Sequence, residues 1–383
     1  MQRNKQPVAA KTEPKKPPQP LEHDRGMMDV PYLLLTLLLT AIGLIMLFSA
    51  SFARSYYLTG NSASYFTSQL VFALIGVGVM YCISRVPYAW YEKTALLIYG
   101  AAFLLLVAVL LVGTRVNGAK RWINLGFTGL QPSEIAKFAL IVMLAAVLSR
   151  FQKESKTPKV FCICGGLMAF VVLWLYFEPH FSAIIIIAAL CFVLMAVGGV
   201  NRKLLIAVAA VGAAGLLFIL LSGGYTGERI TAWRNPEGDP LDSGLQILQS
   251  EYAIGSGGLL GLGFGKGRQK YCYLPEEHND YIFAIVCEEL GFIGAVAILL
   301  LFALLILRGF WIAMHARDRF SMLLATGLTA LLALQVVLNV AVVTNLLPAT
   351  GISLPFFSSG GTALIMQLAE CGIVLNVSRS IGR

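Results

Sequence analysis

The sequence predicts an all-α polytopic membrane protein of about ten transmembrane helices, with both termini cytoplasmic and a large extracytoplasmic loop between helices 7 and 8. Three observations carry this expectation. The 383 residues are 57% hydrophobic and only 13% charged, a balance foreign to a soluble domain. Apolar runs of about 20 residues recur, each long enough to cross a hydrocarbon core of ~30 Å. The basic residues are unevenly placed. With the N-terminus inside, nineteen of the 29 Lys and Arg fall in the inner segments, which are also the shorter ones, and nine in the outer loops. That asymmetry puts both termini in the cytoplasm.

Residues 1–26 are polar and rich in Pro, Lys and Gln. They bury too little apolar surface to fold alone and read as a disordered basic cytoplasmic tail. Residues 27–383 read as a single membrane domain. The first apolar run, Val30 to about Ala53, is too long for the core of a signal peptide and follows a long polar lead, so it reads as a retained span. Further spans are expected near 66–84, 94–112, 131–149, 160–177, 182–198, 204–222, 280–307, 320–345 and 359–377. The seven cysteines are dispersed, mostly within apolar runs, and form no CxxC pair. They therefore suggest neither a disulfide framework nor a metal or redox site, and Cys162 and Cys164 read as helix-packing residues. The net charge of +9 is set by topology, and no nucleic-acid partner is expected. Residues 223–279 form the longest polar stretch and face outward. Their ILQSEYAIGSGGLLGLG portion is amphipathic, so part of the loop is expected at the outer membrane interface.

Chemistry concentrates where this loop re-enters the membrane, in LPEEHNDYIFAIVCEELGFIG. Carboxylates near a bilayer are costly and are default candidates for function. Asp280 is the leading one. It caps the following helix, or it accepts a proton from a substrate hydroxyl, or it holds a divalent cation such as Mg or Mn against a diphosphate. Glu276, Glu277, His278 and Asn279 precede it; upstream, Lys266, Arg268 and Lys270 are candidates for diphosphate contact, with His278 a further substrate-binding candidate. The outer stretch GTRVNGAKRWINLGFTGLQPSE keeps Lys120 and Arg121 outside against the general trend. An anionic headgroup would explain them, since both cations match phosphate oxygens. Trp122 beside them is either an interfacial anchor or part of the site. Glu134 and Lys137, three apart on one helical face, form a structural ion pair or position Asp280 or a substrate phosphate. Of Glu288 and Glu289, at least one is expected to face the interior as a structural partner; Glu288 would lie ~12 Å deeper than Asp280 along a helix. The glycine-rich run before Lys266 satisfies neither the GxGxxG pattern nor the P-loop pattern. Its glycines either expose amides to phosphate or allow close helix approach. His180 sits in a short outer turn, and Glu370 is an intramembrane acid with an unidentified partner.

These segments resemble the shape, elongation, division and sporulation (SEDS) family, whose members include FtsW, RodA and SpoVE. The resemblance covers nearly all of residues 30–380. It rests on NGAKRWINLG, QPSEIAKF, NPEGDPLDSGLQILQSEYAIGSGGLLGLGFGKGRQK, LPEEHNDYIFAIVCEELGFIG and LLPATGISLPFFSSGGTALI. It implies a ten-span fold and a peptidoglycan glycosyltransferase that polymerises lipid II outside the plasma membrane. The partners it implies are a class B penicillin-binding protein and other divisome proteins. The family's essential aspartate falls on Asp280, its tryptophan on Trp122, and its acid and lysine on Glu134 and Lys137. Many relatives carry Asp where this chain has His180. The NGAKRWI and TGISLPFFSSGG motifs and the basic tail look FtsW-like, which implies division. A lipid II flippase, an elongation polymerase and a scaffold that only recruits a synthase are the competing readings.

Overall fold

The computed structural model describes residues 26–116, 119–124, 126, 129–210, 231–238 and 244–381. In chain order its elements are α1 (Val30–Thr59), α2 (Ser64–Ile83), α3 (Tyr88–Val112), β1 (Thr114–Val116), β2 (Ala119–Asn124), β3 (Gly129–Leu130), α4 (Pro132–Arg150), α5 (Pro158–Phe177), α6 (Phe181–Val197), α7 (Leu245–Gly257), α8 (Ile282–Met314), α9 (Arg319–Val343) and α10 (Gly361–Arg379). All of the helices except α6 and α7 are long and apolar enough to span a membrane, and α6 is a shorter apolar helix. The all-α multi-pass class is as expected. Nine of the expected spans correspond in order to α1–α6 and α8–α10. The seventh is helical at 202–210, and its remainder lies outside the described residues. So do the tail at 1–25 and residues 223–230 and 239–243 of the large loop. A small antiparallel sheet in the order β1-β2-β3, which the sequence reading did not foresee, fills the connection from α3 to α4.

Local chemistry sets the helix ends. Asp29 caps α1 by accepting from the Tyr32 amide at 3.0 Å, and Gly60 ends the helix in the left-handed region at φ 71°. Asp318 caps α9 in the same way, and Pro132 and Pro158 occupy the first turns of α4 and α5. In the bundle α2 packs on α10, α3 on α4, and α8 on both α1 and α9. All seven cysteines are free. Cys164 is in the core, whereas Cys162 is exposed, so the packing role expected of the pair holds for Cys164 alone.

Two clasps orient the bundle. Arg308 at the end of α8 binds the Asp29 carboxylate through Nη2 at 2.7 Å, and the Asp29 amide donates to Ser378 Oγ of α10 at 3.1 Å. The start of α1 and the ends of α8 and α10 therefore share one end. The sheet, the turn before α8 and the segment 351–360 occupy the other.

The glycine-rich run explains the main irregularity. α8 breaks at Gly291 (φ 67°, ψ −171°). The break frees backbone groups, and the run supplies their partners. Leu262 and Gly263 amides donate to the Glu288 and Glu289 carbonyls at 3.0 Å each, and the Phe292 and Ile293 amides donate to the Gly258 and Leu259 carbonyls at 2.9 and 3.1 Å. A Cβ on Gly257 would sit 2.0 Å from the Cys287 carbonyl oxygen, and one on Gly261 2.2 Å from that of Glu289. Of the two roles open to these glycines, close backbone approach is the one realised.

The next residues are fixed by carboxylates. Glu288 accepts from the Arg268 amide at 2.7 Å and the Gln269 amide at 3.3 Å, and Glu289 from the Gly265 and Gly267 amides at 3.0 and 3.3 Å. Glu289 also binds Lys270 Nζ at 2.7 Å, with side-chain exposures of 0% and 3%. Ser49 of α1 completes the group, donating to Glu289 Oε2 at 2.7 Å and accepting from Lys270 at 3.0 Å. Removing one member of a buried pair strands the other charge. Glu289→Ala is expected to destabilise the protein by ~3–5 kcal/mol, and adding Lys270→Met should recover part of that loss. Thermal melting of the two variants in detergent checks this; a double variant no more stable than the single would contradict the pairing.

Candidate active site

Beside the turn before α8 lies a cavity of about 740 Å3, large enough for a sizeable ligand. Its wall draws on α1, α2, the sheet, α4, the α5–α6 turn, the turn before α8, α9, the segment 351–360 and α10. Asp280 lies in this wall. Its carboxylate makes no capping bond to α8, so the helix-cap reading of Asp280 is corrected. Instead it rests against Gly351, where a Cβ would approach Oδ2 to 3.1 Å and where φ is +67°. Only glycine adopts that conformation at little cost.

The turn carrying Asp280 is stitched to the segment 351–360. Asn339 of α9 donates from Nδ2 to the Asp280 carbonyl at 2.7 Å and to the Ile352 carbonyl at 2.6 Å. Ser358 Oγ donates to the Asn279 carbonyl at 2.8 Å and accepts from the Leu354 amide at 2.7 Å. The Ser359 amide donates to the His278 carbonyl at 2.9 Å. Gln69 of α2 then holds both sides of Ser359, donating to the Ser358 carbonyl at 3.2 Å and accepting from the Gly360 amide at 3.1 Å.

Cations face the acid. Arg121 reaches the cavity from β2, its Nε donating to the Glu178 carbonyl at 3.4 Å and its Nη2 to the Pro179 carbonyl. Trp122 lines the cavity next to it and packs on Gly129, where a Cβ would meet the ring at 3.0 Å. In the first turns of α4, Lys137 Nζ binds both oxygens of Glu134, at 2.8 and 2.7 Å, with the lysine buried. Glu370 of α10, which lacked a partner at the sequence level, stands within electrostatic reach of both. Arg54 of α1 also lines the cavity and approaches the buried Glu277 at 3.7 Å. His278 lines it too, packed edge-on to Tyr65 with ring centroids 4.7 Å apart.

Four expected phosphate contacts do not reach this cavity. Lys270 is buried in its pair with Glu289. Lys266 and Arg268 are exposed on the loop outside the wall. Lys120 turns back to the Leu110 carbonyl at 3.2 Å. Glu288, expected deeper on a continuous helix, spends its oxygens on loop amides. Arg54, Gln335 and the segment 351–360 join the wall without having been candidates in the sequence. Gln335 was detectable as a polar residue inside an apolar run.

Burial raises the Asp280 pKa to about 6; Glu276 adds to the shift, while His278 and Arg121 oppose it. Burial also lifts Glu178 to about 8 against the pull of Arg121, and lowers His180 to about 3, with Arg121 and Lys137 adding to the effect. His180 is thus a neutral ring at physiological pH. Among the described residues no group of three or more His, Cys, Asp or Glu converges to hold a metal. Asp280 and Glu276 are two carboxylates on one wall, a set that fits a cation shared with substrate phosphates.

Because the folded state binds the Asp280 proton more tightly than the unfolded chain, its contribution to stability is lost as pH rises from about 4 through about 6. Asp280→Asn is therefore expected to melt higher than the parent above pH 6, with the gap closing below pH 4. Melting scans across that range check this; a gap independent of pH would exclude the shift.

The profile of the FtsW/RodA/SpoVE family, described as cell cycle proteins, matches residues 30–382. Stage V sporulation protein E of Bacillus subtilis is 42% identical over 354 residues, which cover 92% of this chain and 97% of the relative. A probable peptidoglycan glycosyltransferase FtsW of Geobacter sulfurreducens is 38% identical over 353 residues, covering 91% and 95%. Among solved structures, a chain from work on the coordination of polymerization and crosslinking by a peptidoglycan synthase complex superposes with a TM-score of 0.78 at 29% identity, covering 92% of this chain and 98% of that one. The rod shape determining protein RodA of Thermus thermophilus gives 0.68 at 27%, covering 93% and 98%.

Proposed function

The chain belongs to the FtsW/RodA/SpoVE family of cell cycle proteins, and from that premise we propose that it is a peptidoglycan glycosyltransferase polymerising lipid II at the outer face of the plasma membrane. The observation that carries this reading is the cavity that Asp280, with a pKa near 6, shares with Arg121, Arg54 and Lys137. The inward bias of basic residues supports an outer location, since the cavity lies at the end opposite the start of α1 and the end of α10.

Lipid II carries a disaccharide on a diphosphate joined to a long isoprenoid. In polymerisation the 4-hydroxyl oxygen of one lipid II attacks the anomeric carbon of another. The bond from that carbon to the diphosphate breaks, and the configuration inverts. Asp280 takes the hydroxyl proton. A carboxylate with a pKa near 6 is largely ionised at neutral pH, yet more basic than an ordinary aspartate, as a general base requires. Arg121 and Arg54 receive the charge developing on the leaving diphosphate. Lys137, held by Glu134, fixes the inner wall. Two lipid-anchored substrates held side by side lower the entropic part of the barrier. In the alternative role, Asp280 with Glu276 would instead hold a divalent cation, which would supply charge to neutralise the leaving diphosphate.

A class B penicillin-binding protein is the proposed partner, in line with the superposition of this fold on a chain from work on a peptidoglycan synthase complex. The FtsW-like NGAKRWI and TGISLPFFSSGG motifs favour septal synthesis. Depletion should then give filaments; rounded cells would point to elongation.

A flippase reading places the key charges where both faces reach them in turn. Asp280 and the cations that share its cavity sit together at one end of the bundle, which favours the polymerase. Purified protein is expected to polymerise lipid II in detergent, where there is no membrane to cross, and the class B partner should raise the yield. Activity should rise with pH through about 6, the value for Asp280, and Asp280→Asn should lower it by at least 100-fold, on the order of the general-base contribution. Normal polymer from well-folded Asp280→Asn would remove the base assignment; no polymer from the parent under any divalent-cation concentration would favour the flippase.

A further inference from the structure

A second cavity, of about 730 Å3, opens at the opposite end of the bundle, between the α2–α3 turn, the start of α9 and the end of α10. Arg85, Arg317, Arg319 and Arg379 line it, against Glu92 and Asp318. Asp318 is already engaged as the cap of α9, accepting from the Ser321 amide and hydroxyl at 3.0 Å each. The balance of charge facing the cavity is therefore positive. Arg319 donates from Nη2 to the Gly198 carbonyl at 2.6 Å, but its Nε is buried without a hydrogen-bond partner. Arg85 and Arg317, both exposed, keep their charge open to an anion in the cavity.

The surroundings indicate where that anion comes from. Arg85 lies over the Tyr81 ring at 4.8 Å and donates to its hydroxyl at 2.5 Å. Tyr81 and Trp90 are each 52% exposed at this level, the usual placing of aromatic residues at a lipid–water boundary. Beyond Trp90, α3 presents Leu96 and Leu97 outward, a surface for acyl chains. Basic pockets between spans on the cytoplasmic side suit anionic headgroups, and guanidinium groups pair with phosphate oxygens through two donors at once.

We propose that this cavity holds the phosphate headgroup of an anionic phospholipid of the inner leaflet. The site is separate from the Asp280 cavity and takes no part in glycosyl transfer. The proposal rests on the same assignment of faces as the proposed function, but not on the activity.

The test uses the full chain purified in detergent and exchanged into phosphatidylglycerol or phosphatidylcholine, with bound lipid counted by native mass spectrometry and melting recorded in parallel. Phosphatidylglycerol is expected to be retained and to raise the melting temperature, and phosphatidylcholine to do neither. R85Q and R317Q should each lower retention about fivefold. K159Q, which removes an exposed cation paired with Glu154 outside the cavity, should retain lipid like the parent. Equal retention of phosphatidylcholine, unchanged retention in the R85Q/R317Q double variant, or an equal loss in K159Q would overturn the proposal. So would a melting shift reproduced by inorganic phosphate or diphosphate alone, which would assign the cavity to a soluble anion. Retention is read without polymer formation, so a failure here leaves the glycosyltransferase reading standing, and a chain that makes no polymer still reports on this site.

Discussion

Irregular backbone at membrane depth is tolerated only when its polar groups find partners within the protein. In this chain that constraint is met by Glu288 and Glu289. Their carbonyls, freed by the break at Gly291, accept from the glycine-rich run, and their carboxylates take the amides of Gly265, Gly267, Arg268 and Gln269. Lys270 balances the inner carboxylate, and Ser49 ties the group to α1. The turn that carries Asp280 starts a few residues later, so its position depends on this anchorage.

The site itself is assembled from segments far apart in sequence. Asp280 comes from the turn before α8, Arg121 and Trp122 from the sheet, Lys137 from α4 and Arg54 from α1. No single element contains the chemistry. What converts the collection into a site is a set of side-chain bonds to backbone: Asn339 and Ser358 join the turn to the segment 351–360, and Gln69 holds that segment in place. Those bonds place a partly desolvated carboxylate opposite fixed cations. That arrangement shifts its proton affinity toward the range useful for acid–base chemistry.

Much of this was legible in the sequence, for physical reasons. Spans announce themselves through apolar length, and the topology through basic asymmetry. Asp280 and the Glu134–Lys137 pair stood out because charge beside lipid is expensive. The failures share a cause. Lys266, Arg268 and Lys270 are near Asp280 in sequence, and proximity along the chain suggested a common role. Their fate was decided by Glu288 and Glu289, on the far side of the turn, and by Ser49, more than 200 residues away. Likewise Arg54 reads as one more outer cation until folding brings α1 beside Glu277. The three short strands carry too few residues for an alternating pattern to register.

One side-chain amide has a wider effect than its size suggests. Asn339 spends both hydrogens of a single nitrogen on the carbonyls of Asp280 and Ile352. The acid and the strand-like stretch facing it thus hang from a common bracket on α9. Any tilt of that helix carries the two along together, so the seating of the acid against Gly351 survives the movement.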